Sequence, residues 1–393
     1  MLGGTNDKEM APMTMTEAAA PRGLKGVVVA DTALGDVRGL EGFYHYRQYA
    51  APDLAATRTL EDVWHLLIEG DLPTRFELDR YRARIAALRP LPTELLATLP
   101  AIATSSRIPL AGLRTALSQL AAIEDMPPTF DADPATIHAN AMRLCAATPV
   151  LIAALHRLSN GELPIAPRAD LSHAANYLYM IDGVVPDERY ARAIEQYLIL
   201  TVDHGFNAST FTARVVISTG ADVGSAVVAA LGALSGPLHG GAPSRALDTL
   251  DAIGAPEHTE AWVRAAVGDG ERIMGFGHAV YRTADPRSVM LRGIAEDLGG
   301  PLVEFAVQVE STVERVLAEL KPGRELHTNV EFYAGVVMEL CGLPRSLFTP
   351  TFATSRIIGW CAQILEQSTD RTIIRPSARY VGPEAPQPVP PIG

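Results

Sequence analysis

The chain has 393 residues, 48% of them hydrophobic and 20% charged, so it can bury a large core and is too apolar to be disordered throughout. Its 33 basic against 45 acidic residues leave a formal charge of −12, which argues against a nucleic-acid partner that needs a basic face. Three scattered cysteines, Cys145, Cys341 and Cys361, offer neither a disulfide framework nor a CxxC zinc spacing and fit a reducing compartment.

Residues 1–22 carry acids early and no apolar stretch of signal-peptide type, and read as a flexible tail. The longest segment free of Asp, Glu, Lys and Arg, Val223 to Ser244, is broken by glycines, two prolines and His239, so no membrane span is expected and the location expected is cytoplasmic. The run GLKGVVVADTALGDVRGLEGFYHYRQ alternates short β-branched and aromatic groups with Gly and Asp turns, which predicts two or three small strands. Helical periodicity takes over from there. TLEDVWHLLIEG reads as a capped helix, with Thr59 before the acids Glu61 and Asp62 and Gly70 at its end. The same periodicity recurs in DRYRARIAAL, AGLRTALSQLAAI, TIHANAMRLCAATPVLIAALHRL, DERYARAIEQYLILTVDHG and GPLVEFAVQVESTVERVLAEL, so the class is mainly α with a small N-terminal β element. SAVVAALGALSG has small residues all round, which suits a core helix or a subunit contact equally. The Pro-rich residues 383–393 cannot make a packed element and are expected to be mobile or to lie along a partner.

Of ten histidines, seven (His45, His65, His138, His156, His173, His258 and His327) have no recurring acid or glycine beside them and stay unassigned. His204 in DHGFNAST, His239 in GPLHGGAPSRAL and His278 in GFGHAVYRTADPR differ, because glycine there lets backbone or ligand approach closely. Pro243 fits the first turn of a helix, so His239 is expected just before a helix N-terminus. That position lowers its pKa and leaves a neutral imidazole able to donate to a developing enolate oxygen, or simply to cap the helix. Arg282 and Arg287 follow His278 within nine residues and suit carboxylate or phosphate recognition. Glu331 in NVEFYAGVVMELCG is an acid in an apolar stretch, where partial burial raises a carboxyl pKa and makes a base; a helix N-terminal acid is the plainer alternative. Arg356 in FATSRIIGW and Arg375 in IIRPSARYVG are each an anion anchor or a snorkelling arginine.

Taken in order, these motifs resemble the citrate synthase family from about Leu24 to Gly382, and specifically a bacterial citrate synthase with Glu331 where the family's NVD motif usually has aspartate. The resemblance implies a two-domain, all-helical homodimer. Its large domain would cover 23–240 and 344–382, and its small domain 241–343. It implies an acyltransferase that condenses acetyl-CoA with oxaloacetate and hydrolyses the citryl thioester. Acyl-CoA is a substrate, and neither a metal nor a permanently bound cofactor is expected. His239, His278 and Glu331 would be catalytic. His204, Arg287 and Arg356 would grip the oxaloacetate carboxylates, and Arg375 would reach in from the partner subunit. Gly275, Gly277, Arg282 and Asn329 would form the coenzyme A site. Two alternatives stand beside it: a 2-methylcitrate synthase using propionyl-CoA, since one methylene changes discrimination only about 10- to 200-fold, and a low-activity or non-catalytic binding protein that keeps the same sites.

Overall fold

The computed structural model describes residues 21–106, 108–240, 243–278 and 280–392, with no side-chain description at 243–246. The tail expected over 1–22 lies almost wholly outside the described residues. Contacts divide the chain into two compact units, one holding residues up to Asp31 together with Ile374 onward, the other spanning Thr32–Ile373. In the first, a 3₁₀ turn at Arg22–Leu24 is the only regular element among the described residues, and the C-terminal segment is exposed.

The second unit opens with the expected strands: β1 (Gly35–Arg38), β2 (Phe43–Tyr46) and β3 (Tyr49–Ala50), antiparallel in the order β1-β2-β3, with Val37 opposite Tyr44. Alternation along β2 buries Tyr44 and Tyr46, and their hydroxyls donate to Leu200 and Ile199 carbonyls at 3.0 and 2.8 Å. The hairpin is thereby tied to the end of the helix Glu188–Thr201. Its turn meets the loop after His278: Arg282 N–H donates to the Gly39 carbonyl at 3.0 Å, and a Cβ at Gly39 would fall 2.3 Å from the Val280 carbonyl oxygen. Only glycine fits there.

The rest is helical. Thr59 and Asp62 form a capping box on the helix Leu60–Glu69, which Gly70 stops, as the sequence pattern requires. The other periodic segments become the helices Arg75–Ala87, Pro109–Ile123, Pro134–Ser159, Glu188–Thr201 and Pro301–Leu320. Pro134–Ser159 is long and apolar enough to cross a membrane, but 83% of its apolar window is buried inside the protein. It packs against Phe348–Ser368, which also meets Ala208–Ile217 and Val223–Leu234; this small-residue helix therefore has a core role. Phe348–Ser368 is buried on nearly every side, so it has no amphipathic stripe for periodicity to detect.

Candidate active site

A cleft of about 520 Å³ in the Thr32–Ile373 unit gathers His204, His239, His278, Arg287, Glu331 and Arg356. Three helices offer it their N-terminal ends. Asn207 caps Ala208–Ile217, Asp285 caps Pro286–Leu298 and Asn329 caps Val330–Leu340, each accepting a backbone N–H two or three residues on. These caps satisfy otherwise orphaned donors and fix the turns that carry His204, Arg287 and Glu331. Gly275 and Gly277, both at positive φ (87° and 82°), allow the GFG segment to run against residues 327–329: Gly277 N–H donates to the His327 carbonyl at 2.8 Å, and Asn329 N–H to the Gly275 carbonyl at 2.9 Å. The Asn329 side chain adds a bond to the Gly277 carbonyl at 3.1 Å. Two motifs some fifty residues apart are thus locked together, placing His278 and Glu331 on one cavity.

Hydrogen bonds behind His278 determine where its proton sits. His278 Nδ1 accepts the N–H groups of Val280 and Tyr281 at 2.9 and 3.1 Å, so the neutral ring carries its hydrogen on Nε2. Nε2 lies 3.1 Å from Arg287 Nη2, which is also a donor. Asp285 Oδ2 takes a bond from Nη2 but stands 3.9 Å from Nε2, so the His278 Nε2–H is left to an acceptor in the cleft. Burial, then the Arg287 charge, push the His278 pKa down to about 4, so the ring is neutral at pH 7. Arg287 is itself buried and held in a two-bond fork by Asp285, Nε to Oδ1 at 3.0 Å and Nη2 to Oδ2 at 2.8 Å. Burial works to raise the Asp285 pKa, but the Arg287 charge and hydrogen bonds override it and hold the carboxyl ionised.

His239 Nε2 sits 2.8 Å from Ser209 Oγ, which accepts from Trp360 Nε1 at 3.1 Å. The next helix begins at Pro243 as expected and the His239 pKa falls to about 4, with burial the first cause and the Arg356 charge the second. His204 Nε2 pairs with Tyr281 OH at 2.9 Å, and burial followed by Arg287, Arg356 and His278 drives its pKa well below the ordinary histidine value. Arg356 is 2% exposed, donates from Nε to the Thr201 carbonyl at 2.9 Å, and stacks 4.7 Å from the Phe352 ring. It does not snorkel; it points a buried cation at the cleft. Near it, Asp203 is raised to about 6 by burial, which outweighs the Arg356 charge.

The remaining expected residues divide. Gly275, Gly277 and Asn329 line the cleft. Arg282 lines an adjoining cavity of about 1020 Å³ that shares Gly277 and His278 with the first. Arg272, Lys321 and Arg324 join it there, four cations against the single carboxylate of Glu325, so this acidic protein holds a local site for a polyanion. Arg375 lies in the other unit, on an exposed stretch without helix or strand. The sequence reading passed over Ser209, Tyr281 and Asp285, and the basic residues Arg272, Lys321 and Arg324. Asp285, two residues before Arg287, had a local signal; the others depend on contacts between distant segments.

A mainly helical chain that sets neutral histidines and buried arginines around a carboxylate, beside a basic cavity, is an enzyme for acid–base chemistry on anionic substrates. The model of the citrate synthase C-terminal domain matches residues 23–377. A citrate synthase of Deinococcus radiodurans is 37% identical over 92% of this chain and 95% of its own length. A 2-methylcitrate synthase of Mycobacterium tuberculosis is 40% identical over 96% of this chain and 94% of its own. Among solved structures, the Thermoplasma acidophilum citrate synthase in ternary complex with carboxymethyl coenzyme A and oxaloacetate aligns with a TM-score of 0.86 at 30% identity, covering 94% of this chain and 98% of that one. The chain belongs to the citrate synthase family and is an enzyme of the acyltransferase type.

Proposed function

We propose that this enzyme condenses acetyl-CoA with oxaloacetate and hydrolyses the resulting citryl thioester, releasing citrate and coenzyme A. The observation that carries this is the approach of His278 Nε2–H and Arg287 Nη2 in a cavity that also holds Glu331 and His239, where Asp285 Oδ2 takes a bond from Nη2 at 2.8 Å but stands 3.9 Å from Nε2. A keto acid supplies what is missing. Its ketone oxygen accepts from His278, and its carboxylates bind Arg287, Arg356 and His204.

Glu331 takes a proton from the methyl group of the thioester. His239, held by Ser209 Oγ 2.8 Å from its Nε2, stabilises the enolate oxygen of the thioester. The new carbon–carbon bond forms at the ketone carbon as His278 protonates the ketone oxygen. Water then cleaves the thioester, and the coenzyme leaves as the thiol. Arg272, Arg282, Lys321 and Arg324 serve the coenzyme phosphates, with Gly275, Gly277 and Asn329 shaping the passage between the two cavities. In the same reading the working form is a homodimer with Arg375 contributed across the interface, and 241–343 forms a small domain that closes over the substrates and shields the enolate from water.

The test is continuous thiol release with oxaloacetate, comparing acetyl-CoA and propionyl-CoA. Robust release with acetyl-CoA is the expected result. The 40% identity to a 2-methylcitrate synthase supports one second reading, and release mainly with propionyl-CoA would establish it. No release with either would remove both.

A further inference from the structure

Tyr281 touches His204, His278 and Arg287, three of the groups that the reaction above assigns to the keto acid, yet that reaction gives it no task. Its hydroxyl lies 2.9 Å from His204 Nε2, and its backbone N–H donates to His278 Nδ1 at 3.1 Å. Its ring packs 4.8 Å from the His278 ring and 5.9 Å from the Arg287 guanidinium carbon. The residue is 3% exposed.

A phenol has one proton to place. The Tyr281 hydroxyl has no second partner among the described residues, so turning its hydrogen away from His204 would bury a donor without an acceptor. Donation to Nε2 avoids that loss and requires the neutral His204 ring to carry its hydrogen on Nδ1. Nδ1 has no partner among the described residues, and His204 lines the cleft, so an N–H donor is left for a ligand acceptor. Tyr44, edge-on at 5.3 Å, holds the ring from another side.

We propose that Tyr281 is a positioning residue that sets His204 as an Nδ1–H donor for a substrate carboxylate while its backbone and ring hold His278 for the ketone. The proposal rests on the reading of oxaloacetate as the substrate. Tyr281→Phe keeps the ring and removes only the hydroxyl. It is expected to weaken oxaloacetate binding about tenfold by calorimetry, the loss of one positioned hydrogen bond. The KM for acyl-CoA and the melting temperature should not change. In protein carrying ¹⁵N-histidine, the His204 resonances, identified by their loss in His204→Gln, should report the Nδ1–H form in the wild type and a mixture of forms in Tyr281→Phe.

Unaltered oxaloacetate affinity in the variant would overturn the proposal, as would an Nε2–H form of His204 in the wild type. So would parallel loss of both substrates with a lower melting temperature, which marks a structural prop. If the wild type neither binds oxaloacetate nor releases thiol, the assigned reaction fails separately, and the nitrogen resonances still decide whether Tyr281 sets the His204 proton.

Discussion

Glu331 is second in the helix Val330–Leu340, its N–H held by Asn329 Oδ1 at 3.0 Å, so its backbone position is determined by the cap. Against an aspartate on the same turn, its carboxylate reaches one carbon–carbon bond further into the cleft. Glu331→Gln keeps this reach and removes the base. Turnover by thiol release should fall about 10²- to 10⁴-fold, the usual worth of a general base, with oxaloacetate affinity by calorimetry unchanged because Arg287 and Arg356 remain. Unchanged turnover would take Glu331 out of the mechanism. Glu331→Asp restores the residue usual in the family but withdraws the carboxylate from a cleft shaped around glutamate. A displacement of about 1 Å can cost about 100-fold, so this variant should also lose turnover rather than gain it. At this scale, His239, His278 and Arg287 were legible from the glycines and arginines near them in the chain, and Glu331 from its place as an acid in an apolar stretch. Ser209 and Tyr281 were not, since a serine or a tyrosine matters here only through the imidazole it meets.

Among the elements, the β1–β2 hairpin has the least bulk and the most direct hold on the cleft. It touches the end of Glu188–Thr201 through Tyr44 and Tyr46, and the loop between His278 and Arg287 through Gly39. Gly39→Ala forces a methyl group against the Val280 carbonyl. The loop has to move, and it carries Tyr281 and Arg282 with it. The expected result is a several-fold rise in KM for both oxaloacetate and acyl-CoA, with the helical circular dichroism unchanged; wild-type kinetics would show that the hairpin bears no load on the loop. The strands themselves were readable from alternation and turn residues, and Leu60–Glu69 from its cap and its stop. Phe348–Ser368 was not, because a helix buried all round loses the polar face on which periodicity depends.

For the whole molecule, the buried histidines tie stability to pH. His173 is lowered to about 3 by burial and then Arg89, His239 and His278 lie near 4, and burial drives His204 well below the ordinary histidine value. Below the ordinary value near 6.5, the unfolded chain takes up protons that the folded chain refuses. Stability is therefore complete above that value and lost as pH falls from 6.5 toward 4, by up to about 1.4 kcal/mol per pH unit for each such group. Asp203, raised to about 6 by burial, works the other way: it favours the fold at low pH and loses that contribution as pH rises through 6. Glu195 and Asp182, also raised by burial, side with Asp203, while His156, lowered by burial, and Asp285 and Glu69, held low by Arg287 and His138, side with the four histidines. The melting temperature should fall steadily from pH 7 to pH 4.5 at constant ionic strength, and a flat profile would mean that these rings are charged in the folded protein. By itself, the sequence determined what local chemistry can dictate: caps, strand alternation, helix periodicity, and motifs whose partners lie within about ten residues, such as His278 and Arg287. Tertiary structure alone decided that Arg356 is buried rather than snorkelling, and which side chains His239 and His204 meet. Those outcomes depend on desolvation and on hydrogen-bond partners brought from afar, Ser209 to His239 across 30 positions and Tyr281 to His204 across 77. Neither burial nor such a pairing exists until the chain has folded.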